Sequence, residues 1–129
     1  MTRRAARLIL ALALGGAGSC IDSTSPRAGP LTVSLTTPNA GLDGAILLTV
    51  TGPSALTSVT AAPGLHVFAE PLSATNHFAV LGPLPNGAIL TIGVTDVNQA
   101  SQYVATIQDV AATTYQLRTL SAYSLRITP

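Results

Sequence analysis

The chain has 129 residues, six arginines, no lysine, five carboxylates, two histidines and a single cysteine, with a formal net charge of +1. The absence of lysine excludes a P-loop and a lysine Schiff base. One cysteine excludes an internal disulfide, and His66 and His77 cannot build a structural zinc site by themselves.

The chain starts "MTRRAARLILALALGGAGSC". Arg3, Arg4 and Arg7 form a basic start, Leu8 to Leu14 is a short apolar run, and Gly15 to Ser19 is small. That order is the layout of an export signal. A membrane span needs roughly 20 apolar residues, and this run has about half of that. Its apolar residues are consecutive and lack the 3.6-residue period of a surface helix.

The small residues Ala17 and Ser19 stand at −3 and −1 of a cut before Cys20. The stretch Ala17-Gly18-Ser19-Cys20 resembles the lipobox of bacterial lipoproteins, with Ala17 where that family usually has Leu. The resemblance covers the first twenty residues. It implies a signal peptide over 1–19 and lipidation of Cys20 through its sulfur. It also implies a mature chain anchored in the membrane of a bacterial cell envelope. Ile21 follows the cysteine and Asp22 comes next. By analogy with lipoprotein sorting this is no inner-membrane retention signal, so the outer membrane is the expected destination in a diderm cell.

Loss of residues 1–19 removes three of the six arginines. Arg27, Arg118 and Arg126 then face Asp22, Asp43, Glu70, Asp96 and Asp109, a net charge of −2. No basic patch remains to neutralise phosphates, so no nucleic-acid partner is expected. Residues 20–30, with "IDSTSPRAGP" after the cysteine, are rich in Ser, Pro and Gly and read as a flexible tether. The ten residues 21–30 reach roughly 30 Å when extended.

From residue 31 onward the pattern is that of strands. "LTVSLTT", 31–37, alternates Leu31, Val33 and Leu35 with Thr and Ser. "AILLTVT", 45–51, sets Ile46, Leu48 and Val50 on one face, and "ILTIGV", 89–94, does so with Leu90, Ile92 and Val94. "YSLRIT", 123–128, sets Tyr123, Leu125 and Ile127 inward, with Leu125 in the core. Period-two alternation means half-buried strands. Further strands are expected at 56–62, 65–70, 77–82, 103–111 and 114–119, separated by turn signals such as "APG" and "GPLPNG". Seven to nine short strands with no helix after residue 20 predict one all-β domain, 31–129, an antiparallel immunoglobulin-like sandwich.

"GAILLTVTG", 44–52, and "NGAILTIGV", 86–94, resemble paired strands of cohesin-type sandwiches over roughly residues 44–110. That resemblance implies a protein-binding module on a cell surface and carries over no binding residue.

Catalytic signals are sparse. "GPSAL", 52–56, lacks the closing Gly of a nucleophile elbow, and "DVN", 96–98, lacks the Gly and distal Glu of a calcium loop, so both read as turns. A hairpin joining 65–70 to 77–82 would set Glu70 opposite His77. These are a carboxylate and a general base, or an exposed cross-strand pair worth roughly 0.2–1 kcal/mol. With no nucleophile placed nearby, the pair is expected to be structural. Tyr103, Tyr115 and Tyr123 are a sugar-stacking platform or core residues with hydroxyls at the rim. The expected function is a non-enzymatic binding or structural module, tethered through Cys20, without cofactor or metal. Its partner would be an envelope protein or a glycan. An accessory hydrolase and a small-ligand carrier are the alternatives.

Overall fold

The computed structural model describes residues 25–129. The expected signal segment 1–19, Cys20 and the first residues of the expected tether lie outside the described residues. Eight strands form: β1 (Gly29–Thr36), β2 (Asp43–Thr51), β3 (Ser58–Ala61), β4 (His66–Ala69), β5 (Thr75–Leu81), β6 (Gly87–Val94), β7 (Val104–Ala112) and β8 (Ser124–Thr128). They make two four-stranded antiparallel sheets, β3-β6-β1-β8 (sheet I) and β4-β5-β2-β7 (sheet II). The all-β sandwich expected from the alternation is what the described residues form.

Only β4 and β5 are joined as a hairpin within one sheet. Every other connection crosses between sheets, and the pairs nest as β1 with β8, β2 with β7, β3 with β6 and β4 with β5. The connections β1–β2, β3–β4, β5–β6 and β7–β8 gather at one end of the sandwich. The β4–β5 turn and the start of β1 lie at the other end.

The core is the set of inward residues read from the period of two. Leu31, Val33 and Leu35 of β1 meet Ile46, Leu48 and Val50 of β2, with Phe78 and Val80 of β5 and Ile92 and Val94 of β6. Burying one such side chain fully contributes roughly 1.5–3 kcal/mol. β6 departs from strict alternation because Val33 pairs with Leu90 while Ser34 pairs with Ala88. Ile89 is therefore an extra residue, and both it and Leu90 turn into the core.

Two expectations are corrected, the strand at 114–119 and the core place of Leu125, while "DVN" is a turn as expected. Residues 114–119 are not a strand. The chain turns after β7 and touches it again through one bridge, Ala111 with Leu117, and the bond from the Arg118 N–H to the Val110 carbonyl at 2.8 Å. Leu117 points into solvent, so nothing packs that segment as a strand. Residues 97–102 form a 3-10 turn before β7 starts at Val104. Asp96 caps that turn by accepting from the Asn98 N–H at 3.0 Å, and it accepts a second bond from the Arg27 N–H at 3.2 Å. "DVN" is thus a turn that also ties down the chain entering β1. Finally, Leu125 lies on the edge strand β8, where it is half-buried against the core rather than enclosed by it.

Tyr103 precedes β7, and its ring packs against Gly52, where a Cβ would overlap it. Its hydroxyl is buried with no hydrogen-bond partner. A buried unpaired hydroxyl costs about 1–3 kcal/mol. Tyr103→Phe should therefore match the parent's stability or exceed it by up to about 1 kcal/mol. Denaturant titration checks this, and a clear loss would mean that the hydroxyl has a partner after all.

Candidate functional site

The two outer faces of the sandwich differ in chemistry. Outward positions of sheet I are Pro30, Thr32, Ser34 and Thr36 of β1, Ser58 and Thr60 of β3, Ala88, Thr91 and Gly93 of β6, and Ser124, Arg126 and Thr128 of β8, mostly hydroxyl-bearing. A hydroxyl-rich face of this kind suits contact with water. The outward positions of sheet II include Ala45 and Leu47 of β2, Phe68 of β4, Ala79 and Leu81 of β5, and Ala111 of β7. Phe68 is 61% exposed, and Leu47 and Leu81 are also open to solvent.

The register sets these residues in cross-strand rows. Phe68 pairs with Ala79, Ala79 with Leu47, and Leu47 with Asp109. On one side runs the row His66, Leu81, Ala45 and Ala111. On the other, His77 pairs with Thr49 and Thr49 with Thr106. The hairpin register, Ala69 with Phe78, continues one step to bring Glu70 opposite His77. Both line a shallow groove with Leu47, Phe68, Ala79 and Gln108.

Glu70 and His77 are thus brought to one place, as the hairpin reading expects, but not into an ion pair. His77 Nδ1 instead lies 3.2 Å from Thr49 Oγ1 across the β2–β5 pair. Among the described residues the one ion pair is Arg118 with Asp43. No group of three or more metal-ligating side chains comes together among the described residues.

The three tyrosines do not make a platform. Tyr103 and Tyr123 are buried, while Tyr115 is 93% exposed in the turn after β7. Tyr115 has a φ of 69°. Its N–H donates to the Ala112 carbonyl at 2.9 Å, and the Ala112 N–H donates to the Gln116 carbonyl at 2.8 Å. This is a turn followed by a left-handed residue, a position that ordinarily takes Gly. A tyrosine held there costs on the order of 1–3 kcal/mol. It stands over a second shallow depression, lined by Ala45, Leu81, Pro83, Ala111 and Thr113, that extends the apolar face of sheet II toward the loop end.

At that same loop end lies a polar cluster that alternation alone misses. Asp43 is fully buried. Its Oδ2 accepts from the Thr37 hydroxyl at 2.6 Å and from the Tyr123 hydroxyl at 2.8 Å. Its Oδ1 accepts from Arg118 Nε at 2.9 Å. Asn39 donates to the Tyr123 hydroxyl at 2.9 Å, and Asn86 Oδ1 accepts from the Thr37 N–H at 2.7 Å. The carboxylate ties the β1–β2 connection to the β7–β8 connection, and Asn86 joins the β5–β6 connection to them through the Thr37 N–H. Both of its oxygens accept hydrogen bonds from within the fold, so the carboxylate works as a clasp. The clasp holds the β7–β8 connection, and with it Tyr115, in place.

No family model matches this chain, and no curated protein or solved structure shows significant similarity to it.

Proposed function

We propose that this chain is an envelope lipoprotein, anchored through lipid on Cys20, whose sandwich is a protein-binding module that binds through the outer face of sheet II. The observation that carries the binding reading is the asymmetry of the two outer faces. A solvated antiparallel sheet alternates apolar and polar residues, whereas β2 and β5 are apolar on both faces at Ala45 to Leu48 and at Phe78 to Leu81. Exposed apolar patches of several hundred Å² mark contact sites on soluble domains. The strained, exposed Tyr115 at the end of that face supports the same reading, because a costly backbone geometry persists where a side chain is wanted.

Anchoring rests on the sequence order of basic start, apolar run, small residues and cysteine. Two or more acyl chains hold a protein stably, at about 0.8 kcal/mol per buried methylene. The residues after Cys20 favour the outer membrane, with a partner in the envelope.

One experiment in the native cell tests both parts. Phe68 is replaced by a photoreactive benzoyl-phenylalanine, and the same replacement at Thr91 on sheet I is the control. The chain should fractionate with membranes and lose that association on Cys20→Ala. Irradiation should give adducts from position 68 and none from position 91. Equal yields from both positions, or none from 68, would overturn the binding face. An unmodified Cys20 in mass spectra of the mature N-terminus would overturn the anchor.

A further inference from the structure

We propose that the occupant of the sheet II face is a basic amphipathic helix of another protein, lying across the strands with a cationic side chain at each end of its contact. This rests on the binding-face reading above and names the chemistry of the partner. Charge, backbone pairing and spacing support it.

The charged side chains of the described residues are divided unevenly between the faces. Arg118 and Asp43 pair at the loop end. Arg27 and Asp96 lie together at the far end, where the Arg27 N–H donates to the Asp96 carboxylate. Arg126 stands on the outer face of sheet I. Glu70 and Asp109 remain, and both are exposed on the outer face of sheet II, Glu70 in the groove beside Phe68 and Asp109 opposite Leu47. Neither is in an ion pair, since Arg118 with Asp43 is the one such pair among the described residues. With His66 and His77 neutral, the apolar face carries two uncompensated negative charges and no cation. A surface complementary to it is apolar and positively charged.

Backbone pairing decides the form of the occupant. β5 and β2, which carry Ala79 and Leu47, are paired on both sides, so the middle of the face offers side chains and no free backbone edge. An extended segment laid there would hold its own N–H and C=O groups against Leu47 and Phe68 without partners. A helix bonds its own backbone and presents an apolar stripe.

Spacing sets the pattern of that stripe. Asp109 lies on β7 and Glu70 just past β4, at opposite edges of the sheet. Three interstrand steps of about 4.8 Å separate the edges by about 14 Å. Glu70 lies two residues beyond Phe68, whose row ends in Asp109, which adds an offset of about 7 Å along the strand. The two Cα atoms are therefore about 16 Å apart. A helix rises about 16 Å in roughly 11 residues, or about three turns, so its positions i and i+11 share a face. Arginine or lysine at i and i+11 meets Asp109 and Glu70. Apolar side chains at i+4 and i+7 fall between them, where they cover Leu47 and fill the recess over Ala79 beside Phe68.

The photoadducts at position 68 test the inference in the native cell, through the sequence of the captured peptide and through two kinds of variant. The expected peptide carries arginine or lysine at i and i+11 and apolar residues at i+4 and i+7. Glu70→Gln together with Asp109→Asn should lower the adduct yield about fivefold, from two exposed charge contacts of about two- to threefold each. Thr91→Lys shifts the net charge as much as Glu70→Gln does, but on sheet I, and should leave the yield unchanged. A full yield from the double amide variant, or a captured peptide without the two cations, overturns the helix and leaves the binding face standing. So does an equal loss on Thr91→Lys, which would trace the effect to net charge. Lipid or glycan in the adduct in place of a peptide overturns the helix as well. No adduct from position 68 in the parent removes the face and the helix together.

Discussion

Asp43→Ala should lower the stability of the domain by about 3 kcal/mol, the low end of the range for breaking a buried ion pair from one side. The low end applies because the Arg118 side chain is 29% exposed and water can reach it once the carboxylate is gone. The hydroxyls of Thr37 and Tyr123 have no such recourse. Both donate to Oδ2 in a buried setting and would be left facing a methyl group. A small domain holds about 5–15 kcal/mol in all, so the loss should reduce the melting temperature by roughly 15 °C. Asp43→Asn is the sharper test. Every contact of Asp43 is an acceptor contact, on both oxygens, and an amide keeps only one oxygen. An NH2 turned toward Arg118 meets a donor, and one turned toward Thr37 and Tyr123 leaves their hydroxyl protons without an acceptor. Asp43→Asn should therefore recover little of what Asp43→Ala loses. Full recovery in thermal melts would show that the second oxygen carries no weight, and the clasp described here would fail.

The clasp also shows where reading by alternation stops. In β2 the inward residues are Ile46, Leu48 and Val50, so an unbroken pleat would turn Asp43 outward with Ala45 and Leu47. The pleat is broken. Asp43 pairs with Ala112 and Ala45 with Ala111, which leaves Gly44 as an extra residue in β2. The bulge reverses the face of the residue before it and rotates the carboxylate into the core. Glycine suits the position because Thr113 Cα would stand 3.2 Å from a Cβ there. The "LDG" preceding an apolar run hints at such a bulge, but its phase depends on the partner strand, which lies some 65 residues away along the chain. Bulges at Ile89 and at Gln108 shift the phases of β6 and β7 in the same way.

The apolar outer face of sheet II was legible in a different sense. "AILL" and "FAVL" are continuous apolar runs, and every other residue of each, Ala45 and Leu47, Ala79 and Leu81, faces away from the core. A reading that asks only which residues turn inward accounts for Ile46 and Leu48 and passes over Leu47. The hairpin that brings Glu70 opposite His77 was legible because it is local: two short strands and a five-residue turn, Glu70 to Ala74. That turn is held by Asn76, whose side chain bonds the Ser73 N–H at 2.8 Å and the Ser73 carbonyl at 2.7 Å. The 114–119 segment misled because Tyr115 and Leu117 alternate like core residues while the left-handed turn at Tyr115 leaves both exposed.

The second large effect is expected at Leu48. It lies at the centre of β2, between Phe78 of β5 and Ile107 of β7, and is fully buried. Flanked by strands on both sides and covered by sheet I, the site cannot collapse to fill a void. Leu48→Ala should then cost toward the upper part of the 2–5 kcal/mol range for buried leucines, because the cavity term adds to the transfer term. Leu125→Ala provides the contrast. Leu125 falls on the inward phase of its strand as Leu48 does, yet it sits on edge strand β8, paired on one side only, with β1. Truncation there opens no enclosed void and removes about half of a leucine's burial, a loss of about 1 kcal/mol. The same chemical change should thus differ by at least 2 kcal/mol between two positions that the period of two cannot tell apart. Denaturant titrations of both variants measure the difference directly. Equal losses would mean that β8 is enclosed like β2, and that the edge assigned to sheet I here is covered by something further.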